Sequence, residues 1–187
     1  MTEYHQTKEE IMQDLNWIKE SGKDPSAFAG LYNKYFRQIY LFVLKRIDDQ
    51  DISDDITSQV FMKAMLNLHK YEFKGLPFSA WLYRIASNEV NYYFRKSGKM
   101  RCISIEDAGL NRLMDEISEN DNSDSEENLL KAFQNLSQEE IQILELRFFE
   151  NNSFKEVGYI LNITENNAKV KTYRALDKLK KKMMNDK

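Results

Sequence analysis

The stretch 153–184, SFKEVGYILNITENNAKVKTYRALDKLKKKMM, holds two helix starts close together, and this pairing constrains the fold more than any other feature of the chain. Ser153 followed three residues on by Glu156 is a capping box, and Val157, Ile160 and Leu161 continue it at helical spacing. Asn162 then interrupts the pattern, and asparagine tolerates the left-handed conformation of a tight turn. Thr164 is placed to cap a second helix, whose apolar stripe is Ala168, Ala175, Leu176, Leu179 and Met183. Two short helices joined by such a turn form a helix-turn-helix. The second carries Lys169, Lys171, Arg174, Lys178, Lys180, Lys181 and Lys182 against one acid, Asp177. A groove lined with phosphates would accept that face. An ordinary amphipathic helix with a solvated lysine face fits the same residues, so the stretch alone leaves two readings open.

The rest of the chain bears on the choice. With 187 residues there is material for one large domain or two small ones. Only 6 glycines and 2 prolines accompany 30% charged residues, which favours an all-α fold over a β-rich one. No apolar run is long enough to cross a membrane and the start MTEYHQTKEE is no signal peptide, so no membrane insertion and a cytoplasmic location are expected. Cys102 is alone, which excludes a disulfide framework and a cysteine metal site. The net charge of −3 argues against nucleic acid only until its distribution is considered. Between 104 and 128 lie Glu106, Asp107, Asp115, Glu116, Glu119, Asp121, Asp124, Glu126 and Glu127, with Arg112 the only base. Basic material flanks this segment on both sides.

In chain order, Thr7 with Glu10 caps a short helix buried through Ile11, Leu15 and Ile18 and ended by Gly22. Asp24 before Pro25 starts a long helix to about Ile47, with Phe28, Leu31, Tyr35, Ile39 and Phe42 inward. The acidic turn DDQD leads into a third helix, with Ile52, Ile56, Val60, Ala64 and Leu68 on one side. Gly75 and Pro77 break the chain, and Ser79 restarts it as SAWLYRIASNEVNYYFRKSGK. There Leu82, Ile85, Ala86 and Tyr93 form the expected inward stripe, while Arg84, Asn88, Asn91 and Arg95 share a polar face. With Trp81, Tyr83, Tyr92 and Phe94 around it, that face suits single-stranded nucleic acid, whose bases stack and whose edges are read. Trp81 fits a core position better than a stacking one. From Gly98 the composition changes. DAGLNRLMDEI has helical spacing, whereas SENDNSDSEEN has no apolar residue and is expected to be disordered. The expected organisation is a domain at 1–97, an acidic linker at 98–128 and a domain at 129–187, in which Ser137 with Glu140 opens another helix with Ile141, Leu144 and Phe148 inward.

Three stretches resemble a bacterial RNA polymerase sigma factor of the sigma-70 family, extracytoplasmic-function type. DDITSQVFMKA at 54–64 is similar to the family's polymerase-binding helix. PFSAWLYRIASNEVNYYFRK at 77–96 is similar to the helix that melts and reads the −10 promoter element. The segment 136–181, LSQEEIQILELRFFENNSFKEVGYILNITENNAKVKTYRALDKLKK, resembles the domain that reads the −35 element. The resemblance implies core RNA polymerase, promoter DNA and an anti-sigma factor as partners, and no catalytic residue, cofactor or metal. It implies that Asp55, Gln59 and Met62 dock on polymerase, and that Arg84, Asn88, Asn91 and Arg95 meet the −10 element. It places Asn166, Asn167, Lys169, Val170 and Tyr173 toward base edges, with Lys171 and Arg174 on phosphates. A flipped base would sit in the loop 71–78 and the start of the next helix, and the acidic linker would pass through polymerase in place of nucleic acid. Two positions depart from the family: Ser58-Gln59 stands where Gln-Glu is usual, and Asn167 where a small Thr or Ala is usual.

Two other classes compete. Asp48, Asp49, Asp51, Asp54 and Asp55 suggest a metal-dependent enzyme, but a calcium loop from Asp49 needs glycine and glutamate where Asp54 and Val60 stand. No phosphate loop or HExxH accompanies His5 and His69. The second is a self-sufficient helix-turn-helix regulator, whose N-terminal domain would have no need of an Asn and Arg reading face.

Overall fold

The computed structural model describes residues 6–99, 108–117 and 126–185. Every element among them is helical, and the chain divides into two compact units at 103/104.

The N-terminal unit holds α1 (Lys8–Ser21), α2 (Phe28–Ile47), α3 (Gln50–Leu66) and α4 (Phe78–Ser97). The expected starts are present. Thr7 and Glu10 form a reciprocal capping box, Asp24 accepts from the Ser26 N–H before a 3₁₀ turn that feeds α2, and Asp49 accepts from the Ile52 N–H. α2 is the central helix and packs against the other three. Leu31, Ile39 and Val43 of α2, Val60 and Ala64 of α3, and Leu82, Ala86 and Val90 of α4 are fully buried. The α4 stripe is rotated from its expected position, because Tyr83 and Val90 go into the core while Ile85 and Tyr93 are only half-buried.

Two charges are enclosed with this core. Asp14 accepts hydrogen bonds from the Lys34 ammonium, at 2.6 Å, and from the Tyr35 hydroxyl. Burial, reinforced by the Asp14 carboxylate, holds the Tyr35 hydroxyl protonated far above the usual phenol range. Arg46 lies 3.6 Å from the centroid of the Phe42 ring and donates to the Phe42 carbonyl oxygen at 2.6 Å.

The C-terminal unit holds α5 (Ala108–Ile117), α6 (Glu126–Phe133), α7 (Gln138–Leu144), α8 (Phe154–Leu161) and α9 (Glu165–Asn185). Ser137–Glu140 and Ser153–Glu156 are complete capping boxes. α7 passes into a π turn, Glu145–Phe149, closed by the Glu150 N–H on the Glu145 carbonyl at 3.0 Å.

Part of the expected linker 98–128 is described, and its stretch of helical spacing is indeed a helix. Within it, α5 is a helix packed on the C-terminal unit, with Leu110, Leu113 and Ile117 buried. Gly109 makes the approach possible, since a Cβ there would lie 2.5 Å from the Phe149 Cα. Arg112 donates from Nε to the Phe148 carbonyl at 2.8 Å and from Nη2 to that of Phe149 at 3.3 Å, satisfying acceptors at the π turn. α6 also begins inside the expected linker, at Glu126. Cys102 and the remaining acidic stretch at 118–125 lie outside the described residues.

Candidate nucleic-acid interface

α8 and α9 meet across the turn 162–164. Asn162 closes α8 in the left-handed conformation, φ 58° and ψ 43°. Gly158 lets the turn pass, since a Cβ there would sit 2.9 Å from the Ile163 carbonyl oxygen. The Thr164 hydroxyl accepts from the Asn167 N–H at 3.2 Å and so caps α9. Ala168, Ala175, Leu176, Leu179 and Met183 are all buried, joined by Thr172, whose hydroxyl donates to the Ala168 carbonyl at 2.8 Å.

That packing turns the other side of α9 outward. Asn166, Asn167, Lys169, Val170, Lys171, Tyr173 and Arg174 are all exposed. By the helical period, Asn166, Val170, Tyr173 and Asp177 form the outermost line, with Lys169 on one flank and Asn167, Lys171 and Arg174 on the other. Asp177 repels phosphate and marks where a close fit into a groove would end.

The flanks are braced by other helices. Lys171 Nζ stands 3.5 Å from Glu139 and Lys178 Nζ 2.8 Å from Glu140, both acids in the first turn of α7. Burial raises the Glu140 carboxyl, but the hydrogen bonds from Lys178 and Ser137 outweigh it and hold the group below its ordinary value. Lys171, expected on a phosphate, thus has a protein partner to exchange for one. On the opposite flank Tyr173 meets the Phe154 ring of α8.

In the N-terminal unit, Asn88 and Arg95 of α4 are exposed, and Arg84 and Asn91 are half-buried on the same side of the helix. The aromatics around this face divide. Tyr83 is buried with its hydroxyl accepting from Gln38 at 2.9 Å, and Phe94 is half-buried against Tyr93. Trp81 is half-buried in a ring cluster with Tyr71 and Phe78, at 5.3 and 5.4 Å between centroids. Tyr92 stays 55% exposed beside Asn88 and Arg95. In the loop expected to hold a flipped base, Phe78 is a core residue and Phe73 is the exposed ring. Phe73 is a candidate that periodicity does not single out, because it lies in a loop without a repeating face.

On α3, Asp55, Gln59 and Met62 share one exposed line, which continues to Leu66, 62% exposed. Ser58, at the departure from the family pattern, is exposed as well. The acids of the preceding turn are a helix start: Asp49 caps α3 and Asp48 adopts φ 54° at the end of α2. No helix among the described residues is long and apolar enough to cross a membrane.

Residues 31–100 match the family model for sigma-70 region 2, and residues 132–181 match that for sigma-70, region 4. The chain is 28% identical over 166 residues to the extracytoplasmic-function RNA polymerase sigma factor BldN of Streptomyces coelicolor, covering 87% of this chain and 62% of BldN. It thus spans less than two thirds of that relative's length. With SigM of Bacillus subtilis, a sigma factor of the same type, identity is 27% over 152 residues, covering 80% of this chain and 91% of SigM. For SigW of the same organism it is 25% over 183 residues, covering 92% and 96%. Two solved structures share the fold. CnrH in complex with the cytosolic domain of CnrY has a TM-score of 0.62 at 17% identity, over 94% of this chain and 99% of that one. The sigma factor RpoE in complex with the anti-sigma factor NepR, from Bartonella quintana, has a TM-score of 0.58 at 19% identity, over 86% and 98%.

Proposed function

The chain belongs to the sigma-70 family as a sigma factor of the extracytoplasmic-function type, and from this premise we propose how its two units divide the work of starting transcription at chosen promoters. The N-terminal unit binds core RNA polymerase through Asp55, Gln59 and Met62 of α3. It meets the −10 element through Arg84, Asn88, Asn91 and Arg95 of α4, with Tyr92 as a stacking ring. The C-terminal unit reads the −35 element with the first three turns of α9. Asn166, Asn167, Lys169, Val170 and Tyr173 address base edges, and Lys171 and Arg174 hold phosphates. The observation that supports this most is the exposure of all seven α9 residues on its outermost line and flanks, away from the apolar stripe, within the unit that matches region 4.

Opening the duplex asks no bond chemistry of this chain. Unstacking a base costs a few kcal/mol, which stacking on Phe73 and Tyr92 and the α4 amides offset. The protein works in the cytoplasm without enzymatic activity of its own. An anti-sigma factor, a partner of the kind that RpoE has in NepR, binds this chain and holds it inactive by covering the reading surfaces.

Asp55→Arg combined with Gln59→Ala tests the division. The changes lie on exposed positions, so core binding is lost while helical content and melting temperature stay nearly unchanged. Retention of the double variant on core polymerase would exclude the α3 face. Tight, specific binding of the unmodified chain to promoter duplex without core would favour the self-sufficient regulator.

A further inference from the structure

The half-exposed Tyr173 ring has an aromatic neighbour on α8. The Phe154 ring, at the first position of α8, lies 6.1 Å from the Tyr173 ring between centroids, tilted by 44°. The Arg147 guanidinium carbon stands 4.9 Å from the Phe154 centroid. Arg147 is tied in turn, donating from Nη1 to the Asn152 carbonyl at 3.0 Å, and the buried Asn152 amide donates to the Leu146 carbonyl at 3.1 Å. A series of contacts thus runs from the backbone at the π turn to an aromatic side chain on the outer line of α9.

An exposed tyrosine on a helix exchanges rotamers freely, while contact with a second ring favours the rotamer that makes it. Tyr173 is 43% exposed, and Val170, one turn earlier on the same line, is 38% exposed. Together they present an apolar surface whose two members each follow a polar residue by one turn, Val170 after Asn166 and Tyr173 after Lys169. The base edges of the major groove offer one apolar group to such a surface, the C5-methyl of thymine. We propose that Val170 and Tyr173 form a pad that selects a thymine methyl group, and that Phe154 is a positioning residue that orients Tyr173 without itself touching DNA. This rests on the reading of α9 as the helix that enters the −35 element.

The test uses holoenzyme assembled from the full chain and core polymerase, on the upstream element it selects from randomised duplex. Each thymine of that element, on either strand, is replaced in turn by deoxyuridine, which removes only the methyl group. One thymine position loses about fourfold in promoter binding, the effect of one methyl withdrawn from an apolar contact. Tyr173→Ala abolishes that sensitivity, as does Phe154→Leu, whereas Phe154→Tyr, which keeps a ring, retains it. A variant that merely folds less well weakens both templates alike and leaves the thymine-to-deoxyuridine ratio unchanged. The proposal is overturned if no thymine shows the loss with the unmodified chain, or if Phe154→Leu keeps it. A chain that directs no promoter-specific transcription at all would instead overturn the reading of α9 on which the pad depends.

Discussion

The two units solve one problem, presenting outward the face proposed to read DNA, by different means. In the N-terminal unit the helix proposed to read, α4, is also a core helix. α4 runs 20 residues, burying Leu82, Tyr83, Ala86 and Val90 on one side while turning Asn88 and Arg95 to the other. Its position follows from the core, where the enclosed Asp14, Arg46 and Ser53 have hydrogen-bond partners while the buried Thr57 and Ser87 hydroxyls have none among the described residues. In the C-terminal unit α7 and α8 run only 7 and 8 residues, below the length at which a helix holds by itself. Each starts from a capping box, and α9 is gripped on its flanks by Glu139 and Glu140 of α7 and by Phe154 of α8. A long helix can devote one face to function because the other face anchors it. An assembly of short helices depends on caps and lateral braces, each small and each removable.

This difference fixes where each unit breaks. The largest effect is expected in the first. Leu82→Ala removes a fully buried side chain from α4 and costs about 2–5 kcal/mol. Amide hydrogen exchange should quicken through α2, α3 and α4 and leave α7 to α9 unchanged. Equal loss in both units would mean that they do not unfold separately.

A smaller effect is expected from Gly109→Ala, whose methyl group meets the Phe149 backbone. Overpacking of this kind costs about 1–3 kcal/mol, and release of α5 relieves it. Exchange in residues 108–117 should rise while the Ser137 and Ser153 caps persist. Cooperative melting of α7, α8 and α9 along with α5 would instead make α5 an integral part of that unit's core.

The smallest effect is the acid response of the α7–α9 brace. Glu140 has its carboxyl held below the reference value of 4.5, so its contribution is complete above about pH 4.5 and is lost as pH falls through the folded value. The Lys178 pairing should weaken over that acid range, detected as a shift of the Lys178 side-chain resonances, and Glu140→Gln should remove the pH dependence. A response unchanged in the Gln variant would assign it to another carboxylate.

Much of the C-terminal candidate site was legible in the order of its residues. Capping boxes act over three residues, the left-handed Asn162 acts at one, and the stripe of α9 repeats every three or four. All of these are local, and Ser153, Glu156, Thr164 and the five apolar residues of α9 stand where periodicity put them. The face of α4 was legible for the same reason, and less sharply. Its aromatics are frequent enough to fit either side, so period alone misplaced Ile85 and Tyr93 inward and left Tyr83 outside.

The helices, their starts and their outward basic and polar faces were therefore determined by the sequence itself, because neighbouring residues impose them. Tertiary structure decided which of those groups are already engaged. Lys171 and Lys178 find acids 32 and 38 positions away, and Arg112 finds carbonyls 36 and 37 positions on. The same long-range packing draws Tyr83 and Phe78 into the core while Tyr92 and Phe73 remain outside, and docks the helix 108–117 of the expected linker segment on the C-terminal unit. A helical period tells which side of a helix is apolar. It says nothing of what lies against that side, since the contacting residues are distant in the chain and meet only when the whole unit has closed.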